Sequence, residues 1–174
     1  MNKKSQHITK STPSPLERAG VRLKICGMKY QDNIEQVAAL QPDYLGFIFH
    51  GKSKRHFGEN DMPQIPHFIK KTGVFVDTEL HEVIEKINFY HLDSAELHRH
   101  ESPEYWSVLR RCYSEIISKS LDKNLKQVQI DKKNEIIKAF AIDVSFNFYD
   151  LKPYERFCDY FLFVLSTIFK SGYN

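Results

Sequence analysis

Residues 23–28 read LKICGM, a short β-like run that closes on Cys26 and is followed at once by Gly27. A cysteine in this place has two readings. As packing it is a small hydrophobe, since free cysteine is among the most buried residue types. As chemistry it is a thiolate, and use at neutral pH asks for a pKa below the roughly 8.5 of a free thiol. Other titratable groups stand in comparable places. His50 and the basic run Lys52, Lys54, Arg55 and His56 follow the apolar stretch DYLGFIF, Asp77 closes TGVFVD, His98 follows LDSAEL, and Asp143 follows IIKAFAI. Each stands at the end of an apolar run, which is where parallel α/β folds keep their chemistry.

Six runs rich in β-branched and aromatic residues would position these groups: 22–26, 43–49, 72–77, 92–97, 136–142 and 159–164. Between them, 32–40, 79–89, 102–113 and 148–157 carry apolar residues at helical spacing. Ser102 followed by Pro103 is a good helix start, with a side-chain cap and then a residue that needs no donor. The alternation predicts repeated βα units around a parallel sheet. The runs FIF, VFV and FLF predict strands apolar on both faces, as where helices cover one side and a barrel interior the other. The fold class is therefore α/β, either a barrel or an open parallel sheet. The long polar stretch 120–134 predicts an insertion.

With 174 residues and 41% hydrophobic content, one compact domain is expected. A net charge of +3 is too small to imply a nucleic-acid or membrane partner. KSKRHF and HRH could be argued as an RNA-binding surface, but the basic residues sit in scattered loops. Cys26, Cys112 and Cys158 are too few and too dispersed for a disulfide framework or a zinc site, which fits a reducing cytosol. No apolar run approaches the roughly 18 residues of a membrane span. Residues 1–20 are polar, contain two prolines and lack the apolar stretch of a secretory signal; they read as a disordered leader.

Taken together, KICGM, DYLGFIF followed by KSKRHF, TGVFVD, ELHRHESPEYW, IIKAF and DYFLF resemble phosphoribosylanthranilate isomerase of tryptophan biosynthesis. The resemblance covers roughly Val21 to Phe163, with a segment near 114–134 outside it. It implies an eight-stranded (β/α) barrel, here an incomplete barrel of about six parallel strands over residues 21–164. It also implies aromatic amino-acid biosynthesis by an aldose–ketose isomerase, an intramolecular oxidoreductase. The reaction is the Amadori rearrangement of N-(5′-phosphoribosyl)anthranilate to 1-(2-carboxyphenylamino)-1-deoxyribulose 5-phosphate. A phosphorylated small-molecule substrate, no metal, no organic cofactor, no nucleic-acid or membrane partner and a cytoplasmic location are implied with it.

By the same resemblance Cys26 is the general base, its thiolate taking the proton from sugar C2′ of the ring-opened imine. Arg55 is the clamp for the anthranilate carboxylate, a task suited to a planar guanidinium; the other reading is a solvated cation in a basic run. His98 corresponds to the histidine of a Q-L-H-G stretch, but this chain reads Glu96-Leu97-His98-Arg99, so substrate binding and a structural role stand side by side. Asp77 reads as a helix N-cap, with Thr78 and Glu79 following.

The pattern breaks near the end. The family's general acid, which protonates the ring oxygen, is an aspartate directly after the sixth strand. Here the run is Phe161-Leu162-Phe163-Val164-Leu165, so the general-acid position holds Val164, which has no proton to give. No glycine lies between Gly73 and Gly172, so the Gly-rich phosphate loops of such barrels are expected to be missing. Residues 165–174 read as a non-family, out-of-frame tail on a C-terminally truncated chain. The expectation is a protein without isomerase turnover whose open barrel edges favour non-specific self-association. The alternative is a noncatalytic remnant or a half-barrel that binds a small molecule.

Overall fold

The computed structural model describes residues 22–58, 61–98, 101–120 and 134–165, with side chains left out over 114–120. The expected leader (1–20), residues 121–133 of the expected insertion and tail residues 166–174 lie outside the described residues. Six strands, β1 (Lys24–Cys26), β2 (Tyr44–Ile48), β3 (Lys70–Val76), β4 (Ser94–His98), β5 (Glu135–Ile142) and β6 (Tyr160–Leu165), form one sheet in sequence order. Every neighbouring pair is parallel. Among the described strands, β1 and β6 have one neighbour each.

Three helices, α1 (Gln31–Ala38), α2 (Leu80–Tyr90) and α3 (Pro103–Ser120), follow β1, β3 and β4. Each buries the face that its sequence period defines: Ile34 and Ala38 in α1, Val83, Ile87 and Tyr90 in α2, Trp106, Leu109 and Tyr113 in α3. They cover Leu45 and Phe47 of β2, Phe75 of β3, Ala95 and Leu97 of β4 and Ile136 of β5 in one core. Ser102 caps α3, its Oγ accepting from the Tyr105 amide at 3.3 Å. The helix runs on through 114–120, beyond the expected helical stretch 102–113.

The helix expected over 148–157 is not formed. Only a short 3-10 turn, Phe148–Leu151, is present, with turns after it. Pro153 has no amide to give and its ring clashes with the preceding turn, so a longer helix cannot continue through it.

The other face of the sheet is more polar than the apolar runs predicted. Lys24 Nζ of β1 meets Glu96 Oε2 of β4 at 2.7 Å. Tyr44 of β2 donates to Glu135 Oε2 of β5 at 2.8 Å, and Lys70 of β3 pairs with Glu135 Oε1 at 2.5 Å. The Thr72 and Ser94 hydroxyls lie 2.6 Å apart. Burial of these groups is tolerated because each finds a partner. The contacts also fix the shape. With strands about 4.8 Å apart, β1 and β4 would lie roughly 14 Å from each other in a flat sheet. Side chains that reach across that span draw the sheet into a curve with this face concave, as a barrel interior requires.

Candidate active site at the C-terminal strand ends

Cys26 is the last residue of β1 and pairs in register with Gly46 of β2. The amides of Gly27 and Met28 both donate to Gly46 O, at 2.9 and 3.0 Å, so the chain turns sharply off the strand end. Gly27 has φ +91°, a backbone region that side chains disfavour. It also has no room for one: a Cβ there would lie 2.5 Å from Arg55 Nη1 and 2.7 Å from Arg55 Cδ. The arginine lies across the glycine, and its Nη1 donates to Cys26 O at 3.2 Å.

The loop after β2 brings Arg55 there. Its turns are closed by Ser53 N to His50 O and His56 N to Ser53 O, both 3.0 Å, and its end by Phe57 N to Ile48 O at 2.8 Å. The buried Ser53 accepts from the Arg55 amide through Oγ at 3.2 Å. Phe57 anchors the loop in the core, edge-on to Phe47 at 5.0 Å between ring centres. Arg55 itself stays exposed, with its guanidinium over the end of β1.

Beneath the cysteine lies a charged cluster that the sequence reading did not single out. A Cβ on Gly46 would sit 2.7 Å from Cys26 Sγ and 3.0 Å from Lys24 Nζ, so thiol and ammonium border the same small volume, left open by the missing side chain. Lys24 then meets Glu96, whose Oε1 lies 2.6 Å from His98 Nε2. Burial penalises the Glu96 carboxylate, but the Lys24 ammonium and the His98 ring outweigh it and hold the carboxyl well below its usual range, at about 2. Burial likewise pulls the Lys24 ammonium down, and Glu96 and the Cys26 sulfur more than reverse this, for a net rise. The signal was in the sequence as period-two spacing: Lys24-x-Cys26 and Glu96-x-His98 put each pair on one face of its strand.

His98 is 3% exposed, and its Nε2 lies against Glu96 Oε1. The structure therefore brings Cys26, Arg55 and His98 to one end of the sheet, with the first two adjacent and His98 linked through Glu96 and Lys24. Val164 lies half-buried on β6, paired with Ala141 of β5. Asp77 is not the N-cap. It adopts a left-handed conformation, φ +47°, and Glu79 is the capping residue of α2, without a side-chain cap bond. Aspartate tolerates that conformation better than most residues and so makes the turn from strand to helix. With His50, Lys52 and Thr78 it lines a cleft of about 440 Å³ between the ends of β2 and β3. Asp143 closes its own turn, accepting from Ser145 N and Oγ at 2.8 and 2.6 Å. Among the described residues no cluster of His, Cys, Asp and Glu could hold a metal ion, and no helix is long and apolar enough to cross a membrane.

A parallel βα sheet curved in sequence order, with a thiol, a guanidinium and a buried ion cluster gathered at its C-terminal edge, defines a protein of the (β/α)-barrel class, whose members keep their chemistry on that face. Residues 23–166 match the model of the N-(5'phosphoribosyl)anthranilate (PRA) isomerase family, and the chain belongs to that family. It is 36% identical over 149 residues to the N-(5'-phosphoribosyl)anthranilate isomerase of Parabacteroides distasonis, an alignment covering 81% of this chain and 57% of that protein. The phosphoribosyl anthranilate isomerase of Thermus thermophilus superposes with a TM-score of 0.62 at 23% identity, covering 84% of this chain and 63% of that one. A phosphoribosyl anthranilate isomerase solved with reduced 1-(o-carboxyphenylamino)-1-deoxyribulose 5-phosphate superposes at 0.53 and 21% identity, covering 82% and 74%. The chain thus spans just over half the length of the curated relative.

Proposed function

We propose that this C-terminal face is built for the Amadori rearrangement of N-(5′-phosphoribosyl)anthranilate, as part of tryptophan biosynthesis. The observation that carries the reading is the seating of Arg55 across Gly27 beside Cys26. In this reading the Cys26 thiolate takes the C2′ proton of the ring-opened imine. The Arg55 guanidinium receives the anthranilate carboxylate, which places the sugar carbon over the sulfur. His98, held by Glu96, supports this edge from below. Opening of the ribose ring needs a proton on the ring oxygen, and Val164 at the acid position has none to donate. A positioned acid contributes about 10²–10⁴-fold, so turnover by this chain is low.

The deciding experiment adds N-(5′-phosphoribosyl)anthranilate to the purified protein and to Val164→Asp. Restoring the carboxyl should raise turnover by about 10²-fold or more, and Cys26→Ala should abolish it in both backgrounds. Turnover indifferent to Cys26→Ala would refute the assignment.

Val164 specifically favours a second reading, a half-barrel that binds the phosphorylated ligand without converting it. Calorimetric titration with the reduced product analogue would then show binding, weakened by Arg55→Met, and no turnover even in Val164→Asp. Free thiols at Cys26, Cys112 and Cys158 fit a reducing cytoplasm. The edges β1 and β6 are the places where copies of the chain would associate, which elution volume at two protein concentrations would reveal.

A further inference from the structure

We propose that Lys24 is a positioning residue for Cys26: its ammonium, anchored by Glu96, is held at the sulfur as the counter-charge that a thiolate there would need. This rests on the reading of Cys26 as a base and adds the group that would make it one.

Lys24 and Cys26 are two residues apart on β1 and so rise from the same face of the strand. Gly46 leaves between them and β2 a space that a single methyl group would fill against both Sγ and Nζ. The lysine side chain is only 17% exposed and Glu96 3%, so their 2.7 Å contact is far less screened than a surface pair. An ammonium has three N–H groups and can serve the carboxylate and the sulfur together. A cation beside a thiol lowers its pKa by favouring the charged form. The charged and titratable groups about Cys26 are Lys24 on its own strand, Glu96 and His98 on β4, and Arg55 over Gly27. β2 contributes Gly46, which has no charge. Of these groups, Lys24 alone is shown bordering the space at the sulfur, while Glu96 lies on its far side and fixes it. Without Glu96 a long, mobile side chain would have no reason to stay in the interior.

The test measures alkylation of Cys26 by iodoacetamide from pH 5 to 10, followed by mass spectrometry of the peptide so that Cys112 and Cys158 do not contribute. The native protein sets the reference midpoint of the profile. Lys24→Met should raise that midpoint by about one unit or more, a tenfold slower reaction at pH 7. Lys24→Arg, which keeps the charge, should leave it near the native position. Lys24→Met strands a buried carboxylate, so Lys24→Met/Glu96→Gln is measured as well. The cation next to the sulfur is lost there too, and the midpoint should again rise. Profiles unchanged from the native protein in both variants would overturn the proposal and leave Lys24 a purely structural residue. Alkylation reads the thiolate whether or not substrate is converted, so this result is separate from failure of the isomerase reading, whose mark is turnover independent of Cys26.

Discussion

Gly46→Ala places one methyl group between the sulfur and the ammonium of the site. Its Cβ would lie 2.7 Å from Cys26 Sγ, 3.0 Å from Lys24 Nζ and 3.2 Å from Cys26 Cα. Ordinary carbon contacts are about 3.5–4.0 Å, so all three neighbours must give. Lys24 can swing only by leaving Glu96. The sulfur can rotate about χ1, but the Cys26 backbone is held because it pairs in register with residue 46 itself. Overpacking of this kind costs about 1–3 kcal/mol. With a urea m-value of about 2 kcal/mol per molar, the unfolding midpoint should drop by about 0.5–1.5 M. The Cys26 alkylation profile should change in the same variant, since its sulfur and its cation are pushed apart. Gly51→Ala is the control: a Cβ there meets nothing within 4 Å, and its stability should stay within about 0.5 kcal/mol of native. Equal midpoints for Gly46→Ala and native protein, with an unaltered alkylation profile, would show that β1 and β2 do not pack in this register.

Gly27→Ala should destabilise by about 1–3 kcal/mol through its left-handed backbone and also dislodge Arg55; urea denaturation reads the first and titration with the product analogue the second. For acid stability the direction follows from Glu96, whose folded pKa of about 2 lies below its ordinary 4.5. The folded state binds fewer protons there, so the contribution is fully present above about pH 4.5 and is lost as pH falls toward 2. Urea midpoints from pH 7 to 3 should fall less steeply in Glu96→Gln than in native protein, and parallel slopes would refute this. Arg110 donates through Nε to Phe157 O at 3.0 Å and pairs through Nη2 with Asp159 at 2.6 Å, tying α3 to the approach to β6. Arg110→Met should cost about 1–3 kcal/mol in chemical denaturation, and no loss would mean that α3 is held by its apolar face alone.

The framework was largely legible in the sequence because apolar runs and helical spacing are local signals. All six strands begin and end within two residues of the runs that announced them, β3 starting two residues early, at Lys70. The helix at 148–157 was misread because Phe148, Leu151, Tyr154 and Phe157 recur at intervals of three, which suits a chain of turns around Pro153 as well as a helix. Asp77 was misread because capping and left-handed turns use the same short polar side chains. The juxtaposition of Cys26 and Arg55 was implied by the family resemblance and by nothing local, since it depends on a 29-residue separation closed by a loop. The Lys24–Glu96 contact was missed for a similar reason. Each residue on its own strand looks like an ordinary charged residue, and only the curvature of the sheet makes them neighbours.

That contact bears on how the chain folds. A row of βα units in sequence order makes most of its strand pairings between adjacent units, and arrays of that kind can assemble piecemeal, each unit leaning only on the next. Lys24 with Glu96, and Tyr44 with Glu135 at a separation of 91 residues, break that pattern. A half-buried lysine on β1 stays without its counter-charge until β4 has been laid down two strands beyond its neighbour, so a partly assembled sheet carries a penalty that the complete one does not. Long-range contacts of this sort are slow to close, because loop entropy is lost before they return anything. They also remove the stable half-way states. A chain whose interior is stitched across non-adjacent strands should fold late and all at once, with β1 and β4 gaining hydrogen-exchange protection together rather than in the order in which they are synthesised.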